Sequence, residues 1–387
     1  MSLIRNIYFA MQKMAGKYPI LALTGPRQSG KTTMLKTMFS DYRYVNLENP
    51  DIRQYAENDP NGFLKEFDKY VIFDEVQRVP ALFSYLQAIV DDSGTMGQFI
   101  LSGSQNFHLM QNITQSLAGR VAIFKLFPFD NTELKSGGWF NEDDYLFNLT
   151  KGFYPAIYDR DIPSKTFYSN YVQTYIQRDV TELVNIRDLR SFQNFLGLCA
   201  ARSGQLLNLN ALANECGISQ PTAKSWLSAL ENSYVLFQLY PYHNNFSKRI
   251  VKTPKLYFYD SGLLCYLLKI NNKEQLQTHS LKGILFENMM ISEYVKQMYH
   301  QNNLKDLWFW RDSAGHEVDF MIEDDNGFQI VEFKASMTVL SDMFKGLDYF
   351  EKLSGWDNLS KSLVYGGNEA QNRTKAKVIP WKEFGVK

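Results

Sequence analysis

Along the first 130 residues, short apolar runs alternate with stretches whose apolar residues recur at helical spacing. Residues 18–25 (YPILALTG) form an apolar run closed by Gly25, the pattern of a buried strand, and residues 31–39 (KTTMLKTMF) carry the helical period. Residues 44–48 (YVNLE), 70–75 (YVIFDE), 98–104 (QFILSGS) and 121–129 (VAIFKLFPF) read as further strands, with helices predicted near 50–68 and 80–91. Strands that alternate with helices predict an α/β fold built on a parallel sheet.

The pattern then changes. Residues 130–200 read as mostly helical, and 171–186 (YVQTYIQRDVTELVNI) place Arg178 and Asp179 together, either as an ion pair or facing a nucleotide from a lid. Residues 210–230 predict two helices about a turn at Gly217, with Ser219 as N-cap and Pro221 in the first turn of the second helix, which is a helix-turn-helix. Aromatic-rich runs at 234–243 and 255–260 follow, so a winged helix is expected. Further on come a long helix over 281–300 and three strands, 306–312, 316–322 and 328–336, in a meander.

Chemistry enters at residues 25–33, GPRQSGKTT, where Gly25, Gly30, Lys31 and Thr32 satisfy GxxxxGK[ST] between a strand and a helix. Glycines let backbone N–H groups turn inward, the helix N-terminus adds its positive end, Lys31 reaches the outer phosphates, and Thr32 offers a hydroxyl to Mg2+. Pro26, Arg27, Gln28, Ser29 and Thr33 complete the loop, and Arg27 can add charge. MgATP is the cofactor this pattern implies. Such a loop requires a second strand ending in a carboxylate, and 70–75 supplies Asp74 for the cation and Glu75 as a base for the attacking water. The run 98–104 suits a strand between those two, with Ser102 or Ser104 sensing the γ-phosphate or forming an ordinary polar turn. Arg120 is either a solvated loop arginine or a group that stabilises transition-state charge, in trans within a homo-oligomer.

At the other end, Glu287 falls on an apolar face of its helix, where a metal, a lysine or a backbone donor must compensate it. Period-two alternation puts Glu332 and Lys334 on one face of their strand, with Asp319 brought beside them from its neighbour. Two carboxylates, Asp319 and Glu332, can hold Mg2+ against a phosphodiester while the lysine orients the nucleophile or stabilises charge.

Composition bounds these readings. With 387 residues, 45% hydrophobic and 21% charged, several folded domains are expected. Lys plus Arg equals Asp plus Glu at 41 each, so binding to DNA or RNA would have to be local. One local excess is Lys224, Lys248, Arg249, Lys252 and Lys255 against Glu231, either a DNA-contacting face reached by Gln220, Thr222 and Lys224 or the solvated side of a packing module. Arg5 and Lys13 break the apolar N-terminus, so neither export nor a membrane partner is expected and the chain reads as cytoplasmic. Cys199, Cys216 and Cys265 are widely separated and read as reduced, buried thiols. Residues 361–387 read as a solvated edge.

GPRQSGKTT, VIFDEVQRVP, LSGSQ, SLAGR, GFYP, YIQRDV, FENMMISEY and HEVDF with VEFKAS, in that order, resemble a prokaryotic family of AAA+-type P-loop ATPases. That family joins the ATPase domain to a C-terminal domain of unknown function similar to PD-(D/E)XK nucleases, with helical and winged-helix material between. The resemblance implies an AAA-type domain at 1–130, a helical lid at 131–202, a winged helix at 203–262 and a restriction-endonuclease-like α/β domain at 263–387. It implies ATP binding and hydrolysis, with cleavage by the last domain an open alternative to a role in binding DNA or a regulatory protein.

Overall fold

A computed structural model of the chain describes residues 3–103, 113, 115–176, 188–243, 251–324 and 327–386. Ser104, Arg178, Asp179, Lys248 and Arg249 lie outside the described residues. The chain divides into two units: Met1–Gly138 with the segments Asn232–Tyr234 and Tyr299–Asn303, and Trp139–Glu231 with Val235–Met298 and Leu304–Lys387.

In the first unit, α1 (Ile7–Ala15), β1 (Ile20–Thr24), α2 (Lys31–Met38), β2 (Arg43–Asn46), α3 (Pro50–Asn58), α4 (Pro60–Glu66), β3 (Val71–Asp74), α5 (Leu82–Ser93), β4 (Phe99–Ser102) and β5 (Val121–Lys125) follow one another. The five strands form a parallel sheet in the order β2-β3-β4-β1-β5. Every position of β1, β3 and β4 is buried, as a sheet covered on both faces requires. The period of two sorts the side chains. Ile20 and Ala22 join a core with Val45, Phe73, Leu101 and residues of α3 to α5, whereas Leu21 and Leu23 join Ile72, Ile100 and residues of α1 and α2. β4 lies between β1 and β3 as the sequence predicts, and Ser102 is in register with both Leu23 and Asp74. The C-terminal ends of three strands thus form one edge.

In the second unit, the helices Leu209–Cys216 and Gln220–Asn232 flank Gly217, whose φ of +66° closes the first of them. Ser219 accepts from the Thr222 N–H as the predicted cap. The antiparallel pair β6 (Leu236–Leu239) and β7 (Lys255–Phe258) follows, then the helix Lys282–His300.

β8 (Asp306–Arg311), β9 (Glu317–Asp324) and β10 (Gly327–Lys334) make the predicted antiparallel meander. They belong to a larger sheet. β11 (Leu359–Tyr365), β12 (Gln371–Asn372) and β13 (Lys377–Pro380) extend it to the order β12-β13-β11-β10-β9-β8, with β11 parallel to β10. The amphipathic helix Lys345–Ser354 makes the crossover and buries Leu347 and Phe350 against Trp310, Ile330 and Leu363. This corrects the expectation of a solvated edge at 361–387: Leu363, Val364, Val378 and Trp381 are fully buried. Surface lysines at 375 and 377 hide the alternation that buries Ala376 and Val378. Among the described residues, no helix is long and apolar enough to cross a membrane.

Candidate functional site

The loop after β1 is shaped by residues in left-handed backbone. Gly25 has φ +147°, and a Cβ there would lie 2.1 Å from the Leu126 carbonyl oxygen, so only glycine fits. Gln28 and Gly30 also have positive φ, and Gly30 hands the chain to α2 at Lys31. The Lys31 ammonium folds over the loop and donates to the carbonyls of Gly25 and Pro26, each at 2.8 Å. Ser29 is buried, and its hydroxyl meets no partner among the described residues. Arg27 is partly exposed and Thr33 faces outward.

At the end of β3, Asp74 is 4% exposed. Its Oδ2 accepts from the Thr32 hydroxyl at 2.8 Å and from the Tyr44 hydroxyl at 2.6 Å. Burial and the adjacent Asp74 carboxylate hold the Tyr44 phenol well above its ordinary pKa, so it remains a donor. Glu75 has φ +55°, and the Gln77 amide donates to its Oε2 at 2.6 Å. Ser102, fully buried in register with Asp74, presents a hydroxyl that meets no partner among the described residues. The grouping of Lys31, Thr32, Asp74 and Ser102 on one edge follows from the strand order; Tyr44 and Gln77 escaped the sequence reading. Tyr44 sits in a strand that was recognised, but nothing local marks its hydroxyl as reaching the neighbouring strand's carboxylate. A hydroxyl beside a carboxylate is an all-oxygen donor set that fits a hard divalent cation.

Arg120 is bound to the Asp91 carboxylate through two nitrogens, at 2.5 and 2.8 Å. A buried network absent from the sequence reading lies against the same loop. It comprises Arg5, Asp130, Glu133 and His300. Burial alone would raise the Asp130 carboxyl, but hydrogen bonds from His300 and Thr132 hold it well below the ordinary range.

The second unit gathers charge around β9 and β10. Lys334 Nζ lies 2.6 Å from Glu332 and 3.7 Å from Asp319, and Asp319 Oδ2 accepts from the Phe333 N–H at 2.9 Å. Burial and the neighbouring Asp319 push the Glu332 carboxyl well above its ordinary pKa. Burial would lower the Lys334 ammonium, yet Asp319 and Glu332 raise it.

Glu287 accepts from the Tyr257 hydroxyl at 2.5 Å and pairs with Lys255 Nζ at 3.2 Å. The compensation left open by the sequence is therefore a lysine with a phenol. Lys255 also pairs with Glu317. It was counted among the basic surface residues, but it is 2% exposed, whereas Lys224 and Lys252 are on the surface. β7 is buried at all four positions, which draws Lys255 inward to the carboxylates. Burial and Asp319 outweigh Lys255 and push the Glu287 carboxyl up to about 7. Glu287, Asp319 and Glu332 do not bring three oxygens, one from each, all within 4.8 Å of one another, a spacing that Asp130, Glu133 and His300 reach among the described residues.

Residues 17–135 match the family model described as AAA domain. Residues 142–274 match Domain of unknown function (DUF8612), and residues 282–384 match Domain of unknown function (DUF4143). The parallel sheet and its loop therefore lie within the stretch that is similar to an AAA domain. An uncharacterized protein of Mycobacterium tuberculosis is 29% identical over 328 residues, covering 82% of this chain and 71% of its own length. Among solved structures, a Walker-type ATPase of Pyrococcus abyssi aligns with 68% of this chain and 94% of its own, at 14% identity and a TM-score of 0.44. AMPPCP-bound DnaA of Aquifex aeolicus aligns with 58% of this chain and 85% of its own, at 14% identity and a TM-score of 0.30.

Proposed function

We propose that the chain binds ATP with Mg2+ on residues 25–33, hydrolyses it, and uses the change in conformation within a cytoplasmic, nucleic-acid-associated assembly. The observation that carries the first part is the 2.8 Å hydrogen bond from Thr32 to Asp74 at the C-terminal edge of the sheet. It joins the helix that follows the loop to the strand that bears the acid, inside an AAA-type domain. In this reading the loop from Gly25 to Gly30 wraps the phosphates with inward N–H groups, and the N-terminus of α2 adds its positive end. Lys31 exchanges the carbonyls of Gly25 and Pro26 for the outer phosphate oxygens, with Arg27 and Thr33 at the margin. Thr32 and Asp74 hold the cation, which when bound neutralises charge on the phosphate oxygens. Glu75 leaves Gln77 to accept a proton from the attacking water. Ser102 or Ser104 hydrogen-bonds the γ-phosphate, and Arg120, released from Asp91, reaches the site of a second copy in a homo-oligomer.

The domain plan that accompanies this reading is a nucleotide-binding domain at 1–130, a helical lid at 131–202, a winged helix at 203–262 and a nuclease-like domain at 263–387. Two helices followed by an antiparallel pair support the third element, and the convergence of Asp319, Glu332 and Lys334 supports the fourth.

A second reading makes the chain a slow nucleotide-dependent switch whose last domain holds DNA, RNA or a regulatory protein without cutting. Lys255 favours it, because a buried ammonium already satisfies Glu287, one of the carboxylates a nuclease would use. Two measurements decide. Lys31→Ala should abolish ATP turnover, and unchanged turnover rejects the ATPase. Wild-type protein that cuts neither DNA nor RNA with Mg2+ or Mn2+, with or without ATP, or an Asp319→Ala variant that cuts as well as wild type, rejects the nuclease and leaves the switch.

A further inference from the structure

We infer that Arg5 is a positioning residue of the nucleotide loop, holding the Ser29 carbonyl turned outward so that neighbouring N–H groups face a phosphate. The inference rests on the reading of residues 25–33 as a nucleotide site. An amide-lined cradle works only if its carbonyls are bound elsewhere, since each oxygen aimed inward would repel the anion. Arg5 Nη1 donates to the Ser29 carbonyl at 2.7 Å, and Nη2 donates to the Phe127 carbonyl at 2.8 Å. One planar group thus ties the loop after β1 to the chain leaving β5.

Arg5 itself has almost no freedom. It is 4% exposed, its Nε and Nη2 grip the two oxygens of Glu133 at 2.8 and 3.0 Å, and the Phe129 ring lies 4.8 Å below. Glu133 also accepts from the N–H groups of Asn6 and Asp130, at 2.9 and 3.1 Å. The Phe127 N–H donates to His300 Nε2 at 3.1 Å, so His300 Nδ1 carries the proton and donates to Asp130 Oδ2 at 2.7 Å. Asp130, Glu133 and His300 are close enough to suggest a cation site, but these bonds already engage their donor atoms. The cluster serves the guanidinium. A lysine could keep the charge but not the planar fork that serves two carbonyls and a carboxylate together.

The test uses the full chain and follows the Michaelis parameters for ATP together with the affinity for inorganic pyrophosphate. Arg5→Gln and Arg5→Lys should raise KM for ATP and weaken pyrophosphate binding by about ten- to a hundredfold, the scale of one charged hydrogen bond. Saturating ATP should restore kcat to within about twofold, because the catalytic groups stay in place. A loss of folded protein alone would lower kcat and leave KM unchanged. Glu133→Gln, which leaves Arg5 one acceptor oxygen, turns the other into an amide donor and removes the charge, should shift KM the same way, and serves where an Arg5 variant fails to fold. A wild-type KM in folded variants, a fall in kcat alone, or full rescue by lysine overturns the inference. Wild-type protein that binds neither ATP nor pyrophosphate overturns the nucleotide reading as well.

Discussion

The Thr32 hydroxyl donates to Asp74 at 2.8 Å across the gap between α2 and β3, and the carboxylate oxygen that receives it also accepts from Tyr44. A cation entering here must displace or share these donors. Thr32→Val removes one cation ligand while keeping the shape, so the Mg2+ concentration for half-maximal ATP turnover should rise about tenfold or more. A magnesium titration of turnover reads this directly, and an unshifted curve would exclude Thr32 from the cation shell.

Glu75 stands beside Asp74 but is held by Gln77 instead of Thr32. Glu75→Gln should lower turnover by about 100- to 10,000-fold, the range for loss of a general base. ATP binding should survive. Equal losses of binding and turnover would make Glu75 structural.

Gly25 has a backbone oxygen, that of Leu126, 2.1 Å from where a Cβ would stand, and its φ of +147° is strained for any other residue. Gly25→Ala should cost at least about 2 kcal/mol. The expected result is a melting temperature several degrees lower, together with weaker ATP binding. An unchanged melting curve would contradict the geometry.

The pair Lys255 and Glu287 sets a pH dependence. Burial pushes the folded-state pKa of Glu287 from 4.5 up to about 7, so the folded chain holds this proton more tightly than the unfolded chain. Stability from this group is full below 4.5 and is lost as pH rises to about 7. Glu287→Gln should flatten that slope in melting curves recorded between these limits. Lys255→Met leaves Glu287 and Glu317 without their ammonium and should cost about 3 kcal/mol or more above pH 7. The cost should shrink toward pH 5, where Glu287 holds its proton. A penalty independent of pH would place the effect of Lys255 in packing.

Arg120 pairs with Asp91 on its own chain. If it serves a neighbour's phosphate, Arg120→Ala should lower turnover by about 1,000-fold. Mixing it with Lys31→Ala protein should recover activity, because each copy supplies what the other lacks. Undiminished turnover in Arg120→Ala would leave Arg120 as a surface ion pair.

How far the chain could be read in advance follows from the range of the interactions involved. GxxxxGKT between a strand and a helix is a local pattern, since turn, helix start and lysine lie within a few residues. The period of two likewise marks the apolar runs of β1, β3 and β4, and their tips name Asp74 and Ser102 before any sheet exists. Strand pairing and long-range contact decided the rest. Arg5 reaches Glu133 across 128 positions, and His300 reaches Asp130 across 170, distances over which no periodicity carries information. Lys255 reads as one more surface cation until β7 is buried and turns it toward Glu287. The sequence by itself determined the loop, its acid strand and the alternation of helix and strand, because backbone conformation and hydrophobic period are encoded locally. Only the tertiary structure decided which buried charges face one another, because a desolvated ion takes its partner from whatever the packed chain brings beside it.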